Sequence, residues 1–237
     1  MSDFLYSSIS KAQGELTNCI KSIYHNDPPD VFEYHGNWGS LGVSRNLYNG
    51  FQPLETPDHI CVIIGGPVLY FRDNLFLTGH DPVAGTKAIY KRWQTDKIQW
   101  DEDLSGPFAI LIVNKKNHKI VCVTDLMSFI PVFESDYQGV KTLGTHVEAL
   151  AKATGCTHQK DKVSLADFVF HGFVTFPYTV YSPMRQLAPA CIHQWNATQN
   201  LEYKSRHYWQ PLEEAPYRDI DQAAIDLKGE HYPFVKS

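Results

Sequence analysis

The sequence predicts an α+β domain built in layers, and three observations carry that reading. Residues 108–113 (Phe-Ala-Ile-Leu-Ile-Val) and 120–123 (Ile-Val-Cys-Val) are apolar throughout and of strand length, while 114–119 between them are polar and rich in turn formers. Strands without polar alternation are covered on both faces, so this hairpin needs a layer above it and a layer below. Residues 12–23 instead have helical period: Ala12, Leu16, Cys19, Ile20 and Ile23 share one face, and Lys11, Gln13, Glu15, Asn18 and Lys21 face away. With 237 residues, 43% of them hydrophobic, the chain can bury a core of ordinary size, most simply as one domain with a tail.

Taken in order, residues 4–9 read as a short strand that leads into this surface helix. His25-Asn26-Asp27-Pro28-Pro29-Asp30 ends it, because paired prolines stop a helix and force an extended turn. A buried strand follows over 61–64, interrupted by Gly65-Gly66-Pro67 before 68–71. Residues 82–93 read as a helix with Val83, Ile89, Tyr90 and Trp93 in partial apolar period, and it leads to the hairpin. After the hairpin, Pro131-Val132-Phe133 supplies a third strand and 145–154 a helix. Ser164 with Asp167 three residues on reads as a capping-box start for a helix through Phe170, closed by His171-Gly172.

Composition removes several classes of function. Lys and Arg total 21 against 26 Asp and Glu, a net charge of -5, so nothing electrostatic favours nucleic acid or an anionic membrane as partner. The start, MSDFLYSSIS, lacks a charged region followed by an apolar run, and no segment reaches the roughly 18 uninterrupted apolar residues that span a bilayer; a cytoplasmic protein is expected. Cys19, Cys61, Cys122, Cys156 and Cys191 are odd in number and form no CxxC pair, which suits reduced thiols. His25, His35, His146, His171 and His193 lack metal-site spacing, and Gly65-Gly66 is no phosphate loop, so neither metal nor cofactor is expected. The sequon Asn196-Ala197-Thr198 carries little without a secretory signal.

Several short motifs recur in one order: Leu41-Gly42-Val43-Ser44-Arg45, Gln52-Pro53-Leu54, Leu104-Ser105-Gly106-Pro107-Phe108-Ala109, then Asp125 with Pro131-Val132-Phe133. Glu148-Ala149-Leu150, Leu187-Ala188-Pro189-Ala190 and Tyr208-Trp209 continue it. This order resembles the N-terminal glutaminase domain of asparagine synthetases, class II glutamine amidotransferases, from Phe4 to Trp209. The resemblance implies a four-layer αββα sandwich of N-terminal-nucleophile hydrolase type, a class II amidotransferase-like domain over 1–209, and over 210–237 an extension that is the vestigial start of a synthetase domain.

The same resemblance assigns site positions, and most of them have lost the expected group. The family nucleophile is a cysteine after the initiator Met, whose thiol attacks glutamine while its freed α-amine acts as base; Ser2 stands there. Gly65 stands where the family has the oxyanion-hole asparagine, beside the retained Gly66, and Gly85 where it has the aspartate that holds the glutamine amine. Arg45 matches the arginine that pairs with the glutamine carboxylate, with an ion-paired structural arginine as the plainer reading. The expected function is a non-catalytic glutaminase-like domain of an asparagine synthetase-related amide- or lactam-forming system, much as β-lactam synthetases keep a similar domain without its cysteine. An N-terminal-Ser amidohydrolase and an amino-acid-binding or sensing domain are the alternatives. No Ser-Gly-Gly-x-Asp-Ser pyrophosphate loop occurs, so a separate synthetase chain is an expected partner. Residues 219–227, with Ile220, Ala223, Ala224 and Leu227 on one face, are expected to dock on that chain or on a second copy in a homodimer.

Overall fold

The computed structural model describes residues 2–196, 202–211, 219, 221–222 and 224–225. In chain order the elements are β1 (Phe4–Ser7), α1 (Glu15–Lys21), β2 (Val31–Gly36), β3 (Gly39–Ser44), β4 (Leu54–Glu55), β5 (His59–Gly65), β6 (Val68–Leu69), α2 (Ala84–Gln94), β7 (Leu104–Ser105), β8 (Phe108–Asn114) and β9 (Lys119–Thr124). They continue with β10 (Phe133–Ser135), β11 (Thr142–Gly144), α3 (Val147–Thr154), α4 (Lys162–His171), β12 (Met184–Gln186), β13 (Cys191–Asn196) and β14 (Tyr203–His207).

Two antiparallel six-stranded sheets result, one ordered β12-β10-β11-β1-β3-β2 and the other β14-β13-β9-β8-β5-β4, with β6 and β7 as a separate ribbon. The sheets pack face to face, Phe4, Tyr6, Leu41 and Val43 of the first against Val62, Ile64, Leu111 and Trp195 of the second. Outside the first sheet Leu5 meets Leu16 and Ile20 of α1 and Leu150 of α3. Outside the second, Ile63, Ile110 and Ile112 meet Ile89 and Tyr90 of α2. The architecture is therefore the αββα sandwich. It also explains the unbroken apolar run of β8, since Ala109, Leu111 and Val113 fill the space between the sheets while Ile110 and Ile112 fill the helix layer.

Several elements differ from the sequence expectations, each for a local reason. The first helix begins only at Glu15, after Gly14 at φ +85°, and Glu33 of β2 caps it by accepting from the N–H groups of Gly14 (2.7 Å) and Thr17 (2.6 Å). Burial raises the Glu33 pKa, but these bonds prevail and hold it below its ordinary value. The strand after the hairpin exists as β10, yet it joins the other sheet, between β12 and β11. α4 starts earlier than Ser164: Asp161 is the N-cap, accepting from Val163 N–H at 3.2 Å, and Ser164 lies buried inside the helix, donating to Asp161 Oδ2 at 2.7 Å. Its end is as predicted, with Gly172 at φ +79°. Of the helix expected over 219–227, residues 221–222 and 224–225 are helical, while Ile220, Ala223, Asp226 and Leu227, like Ala197 and Thr198 of the sequon, lie outside the described residues. No helix among the described residues is long and apolar enough to cross a membrane.

Asp125, 1% exposed, follows β9, and its carboxyl accepts from the backbone N–H groups of Phe108 (3.2 Å), Met127 (3.0 Å), Phe129 (2.9 Å) and Ile130 (3.1 Å). Replacing it orphans several of these donors at once, so Asp125→Ala is expected to cost about 3 kcal/mol or more, read as a lower urea midpoint with an unchanged slope.

His193 is buried on the inner face of β13. The Ala188 carbonyl, 3.2 Å from Nε2, can only accept, so Nε2 carries the proton and Nδ1 accepts from the Tyr203 hydroxyl at 2.8 Å. Burial pushes the His193 pKa down, the Ala188 bond opposes this, and nearby His207 adds to the lowering. Because the folded value lies below the unfolded one of about 6.5, its stabilising contribution is complete above that pH and is lost as pH falls through the lower folded value. Urea unfolding between pH 8 and pH 5 should show this fall, and His193→Gln should flatten it.

Candidate functional site

The N-terminal end of β1 is held by its neighbours beyond the regular strand. Phe4 pairs with Val43 of β3, and the ladder continues past it: Asp3 N–H donates to Ser44 Oγ (2.6 Å) and Ser44 N–H to the Asp3 carbonyl (2.8 Å). Continuing that register sets Ser2 opposite Arg45. Ser2 is buried at 5% exposure. Asp3 beside it is an anchor, its carboxyl accepting from Thr145 Oγ1 (2.8 Å) and the Tyr24 hydroxyl (2.5 Å), which ties the terminus to both α1 and the start of α3. Burial and this bond to Asp3 push the Tyr24 hydroxyl pKa up, so it stays a donor.

Asn46, buried at 4% exposure and next to Arg45, brings the second sheet to this terminus. Its Nδ2 donates to the carbonyls of Ile63 (2.7 Å), Gly65 (2.9 Å) and Phe51 (3.3 Å), and its Oδ1 accepts from Tyr48 N–H (3.0 Å). The end of β5 is thereby latched to the loop that follows β3. Gln52 closes the latch, donating from Nε2 to the Asn46 carbonyl at 2.7 Å and accepting from Asn46 N–H at 3.3 Å. Asn46 was not singled out from the sequence, and only its position beside Arg45 hints at it, because its partners are distant in the chain.

Among the assigned positions, Arg45 follows the strand paired with β1, and its neighbour Asn46 holds Gly65 of β5. Gly65 has φ +89°, and a Cβ built on it would lie 2.3 Å from the Pro107 carbonyl oxygen and 2.7 Å from Ile130 Cδ1, so no side chain fits. A Cβ on Gly66 would lie 2.4 Å from the Tyr48 ring, which covers this glycine. Gly85, near the start of α2, touches the group only indirectly: its N–H donates to Gly50 O at 2.8 Å, and its Cβ position lies 2.6 Å from the Phe51 ring and 2.7 Å from the Phe76 ring. Arg45 is exposed, and its side chain forms no ion pair among the described residues. The terminus therefore presents a buried Ser2, a guanidinium at Arg45 without an ion pair among the described residues, and an Asn46 amide already engaged by the Phe51, Ile63 and Gly65 carbonyls.

Other polar sites are built differently. A cleft of about 500 Å³ lies at the opposite end of the second sheet, lined by His59, Asn114, Lys119 and Gln194. His59 there is clamped between Asn114 Nδ2 (3.0 Å) and the Tyr90 hydroxyl (2.9 Å), and burial pushes its pKa down, which suits a structural ring. No group of three or more His, Cys, Asp or Glu among the described residues is placed to hold a metal ion, and all five cysteines are unpaired.

Residues 48–209 match the family model described as a glutamine amidotransferase domain. No curated protein matches the sequence. Among solved structures the chain is similar to an allosteric regulatory enzyme of purine biosynthesis, at 13% identity and TM-score 0.49 over 90% of this chain and 44% of that one. It is also similar to a glutamine phosphoribosylpyrophosphate amidotransferase from B. subtilis complexed with ADP and GMP, at 15% identity and TM-score 0.48 over 89% of this chain and 44% of that one. The chain spans less than half the length of either.

The packing of Gly85 can be tested directly. Gly85→Asp forces Cβ against two rings in a buried layer and should cost about 3 kcal/mol or more from overpacking and desolvation. Chemical denaturation measures this, and an unchanged midpoint would mean that the start of α2 yields freely.

Proposed function

The chain belongs to the glutamine amidotransferase domain family, and from that premise we propose that it is a member without glutaminase chemistry, serving an asparagine synthetase-related amide- or lactam-forming system as a non-catalytic domain. The observation that carries this reading is Gly65. Its positive φ and the Pro107 carbonyl 2.3 Å from its Cβ position leave no room for the asparagine an oxyanion hole needs there. Loss of one such donor slows acyl transfer by about 10² to 10³. The hydroxyl of Ser2 is also a weaker nucleophile than a thiolate, and Tyr48 covers the adjoining Gly66.

A second reading, an amino-acid-binding domain, is favoured by one feature: Arg45 stays free of ion pairs among the described residues at the edge of the Ser2 cluster, where a ligand carboxylate would meet it. An N-terminal-Ser amidohydrolase draws less support, because no side chain among the described residues hydrogen-bonds the Ser2 hydroxyl. In the first reading the ATP-dependent step is assigned to a synthetase (ATP-pyrophosphatase) partner, and the five free thiols suit a cytoplasmic setting.

The purified chain is expected to release no more ammonia from glutamine than a Ser2→Ala control, and Ser2→Cys is expected to remain at that background because the missing donor is set by the backbone. Glutamine-dependent ammonia release by the unmodified chain, with Met1 shown by intact mass to be removed, would refute the proposal. Calorimetric titration with glutamine separates the second reading, which requires saturable binding weakened by Arg45→Ala.

A further inference from the structure

α4 is built inside out. A helix on a soluble domain turns its apolar stripe to the core and its polar side chains to water. In α4 the buried residue is Ser164, and Asp167 is turned to its own following loop, accepting from Thr175 N–H and Oγ1 (2.7 Å each) and from His171 Nδ1 (2.8 Å). The solvent side carries Val163 at 76% exposure, Val169 at 78% and Phe170 at 81%, with Phe168 also exposed. The segment after it adds exposed Phe173, Phe176 and Tyr178. The other helices behave ordinarily, burying Leu16 and Ile20 in α1, Ile89 and Tyr90 in α2, and Leu150 and Ala151 in α3.

The size of this face decides what it is for. An aromatic side chain carries about 150–250 Å², so these half-exposed or more exposed rings present on the order of 500 Å² before the valines are added. That reaches the upper part of the roughly 300–600 Å² of the largest apolar patch on an ordinary monomer. Two such faces pressed together bury about 1,000 Å², the size a biological interface has to clear, with the valines adding to it. A ten-residue helix is also too short to persist alone in water, and α4 gains little from its own core.

We propose that the apolar face of α4, with Phe173, Phe176 and Tyr178, is the interface of a two-fold dimer of this chain. Antiparallel packing of α4 on its own copy opposes the two helix dipoles. Exposed Ala166 lies between the helix ends and lets the helices approach where they cross. A membrane surface fits less well, since a net charge of -5 gives no attraction to anionic lipid. The dimer does not depend on the proposed function.

Sedimentation velocity and light scattering of the full chain over the micromolar range should show a dimer. Phe170→Asp and Val169→Lys, both at largely exposed positions, should weaken it by about 30-fold or more, the loss expected for a hot-spot side chain, with circular dichroism and thermal midpoint unchanged. Ala166→Cys should form an intermolecular disulfide under mild oxidation while exposed Lys87→Cys does not, a result that stands even if the charged variants unfold. A monomer throughout the range, a dimer indifferent to both charged variants, or a monomer that floats with phosphatidylcholine vesicles through Phe170 would each overturn the proposal.

Discussion

Asp125 sits where the two sheets exchange the chain. Its carboxyl gathers four backbone N–H groups, one from the start of β8 and three from the loop after β9, while its own carbonyl accepts from Ser128 and Ala190. That loop leaves the second sheet and delivers β10 to the first, so one buried and fully partnered group sets how the sheets are joined. Ile130, fixed by the same carboxyl, packs over Gly65 and so helps close the space beside the Ser2 cluster. Sheet connection and site shape are two consequences of one set of hydrogen bonds.

Backbone and packing shape these positions as much as residue identity does: Gly65 is left-handed against Pro107, the Tyr48 ring lies over Gly66, and the Phe51 and Phe76 rings occupy the side-chain space at Gly85. Asn46 meanwhile uses a side-chain amide as a latch between sheets, three carbonyls to one nitrogen. Asp3, with Thr145 and Tyr24 on its carboxyl, holds the strand that presents Ser2.

α4 belongs to the same pattern of surfaces shaped by what lies outside the core. Asp161 with Ser164, and Asp167 with His171 and Thr175, bond one another within the helix and its following turn, while the valines and Phe170 face outward.

The sequence by itself determined the layered α+β character, the doubly covered hairpin, the prolines that stop α1 and the glycine that stops α4, because each follows from local pattern: apolar runs of strand length, helical period, restricted φ. Ser2, Gly65 and Gly85 stand at the positions where the resemblance implies a cysteine, an asparagine and an aspartate. Only the tertiary structure decided that 133–135 pairs in the other sheet, that Asn46 reaches Gly65, and that Asp161 rather than Ser164 caps α4. These depend on which distant donors and acceptors meet once the sheets are stacked, and strand pairing carries no local signature of its partner. The face α4 turns to solvent was illegible for the same reason, since periodicity gives the apolar side of a helix but not which side the rest of the chain covers.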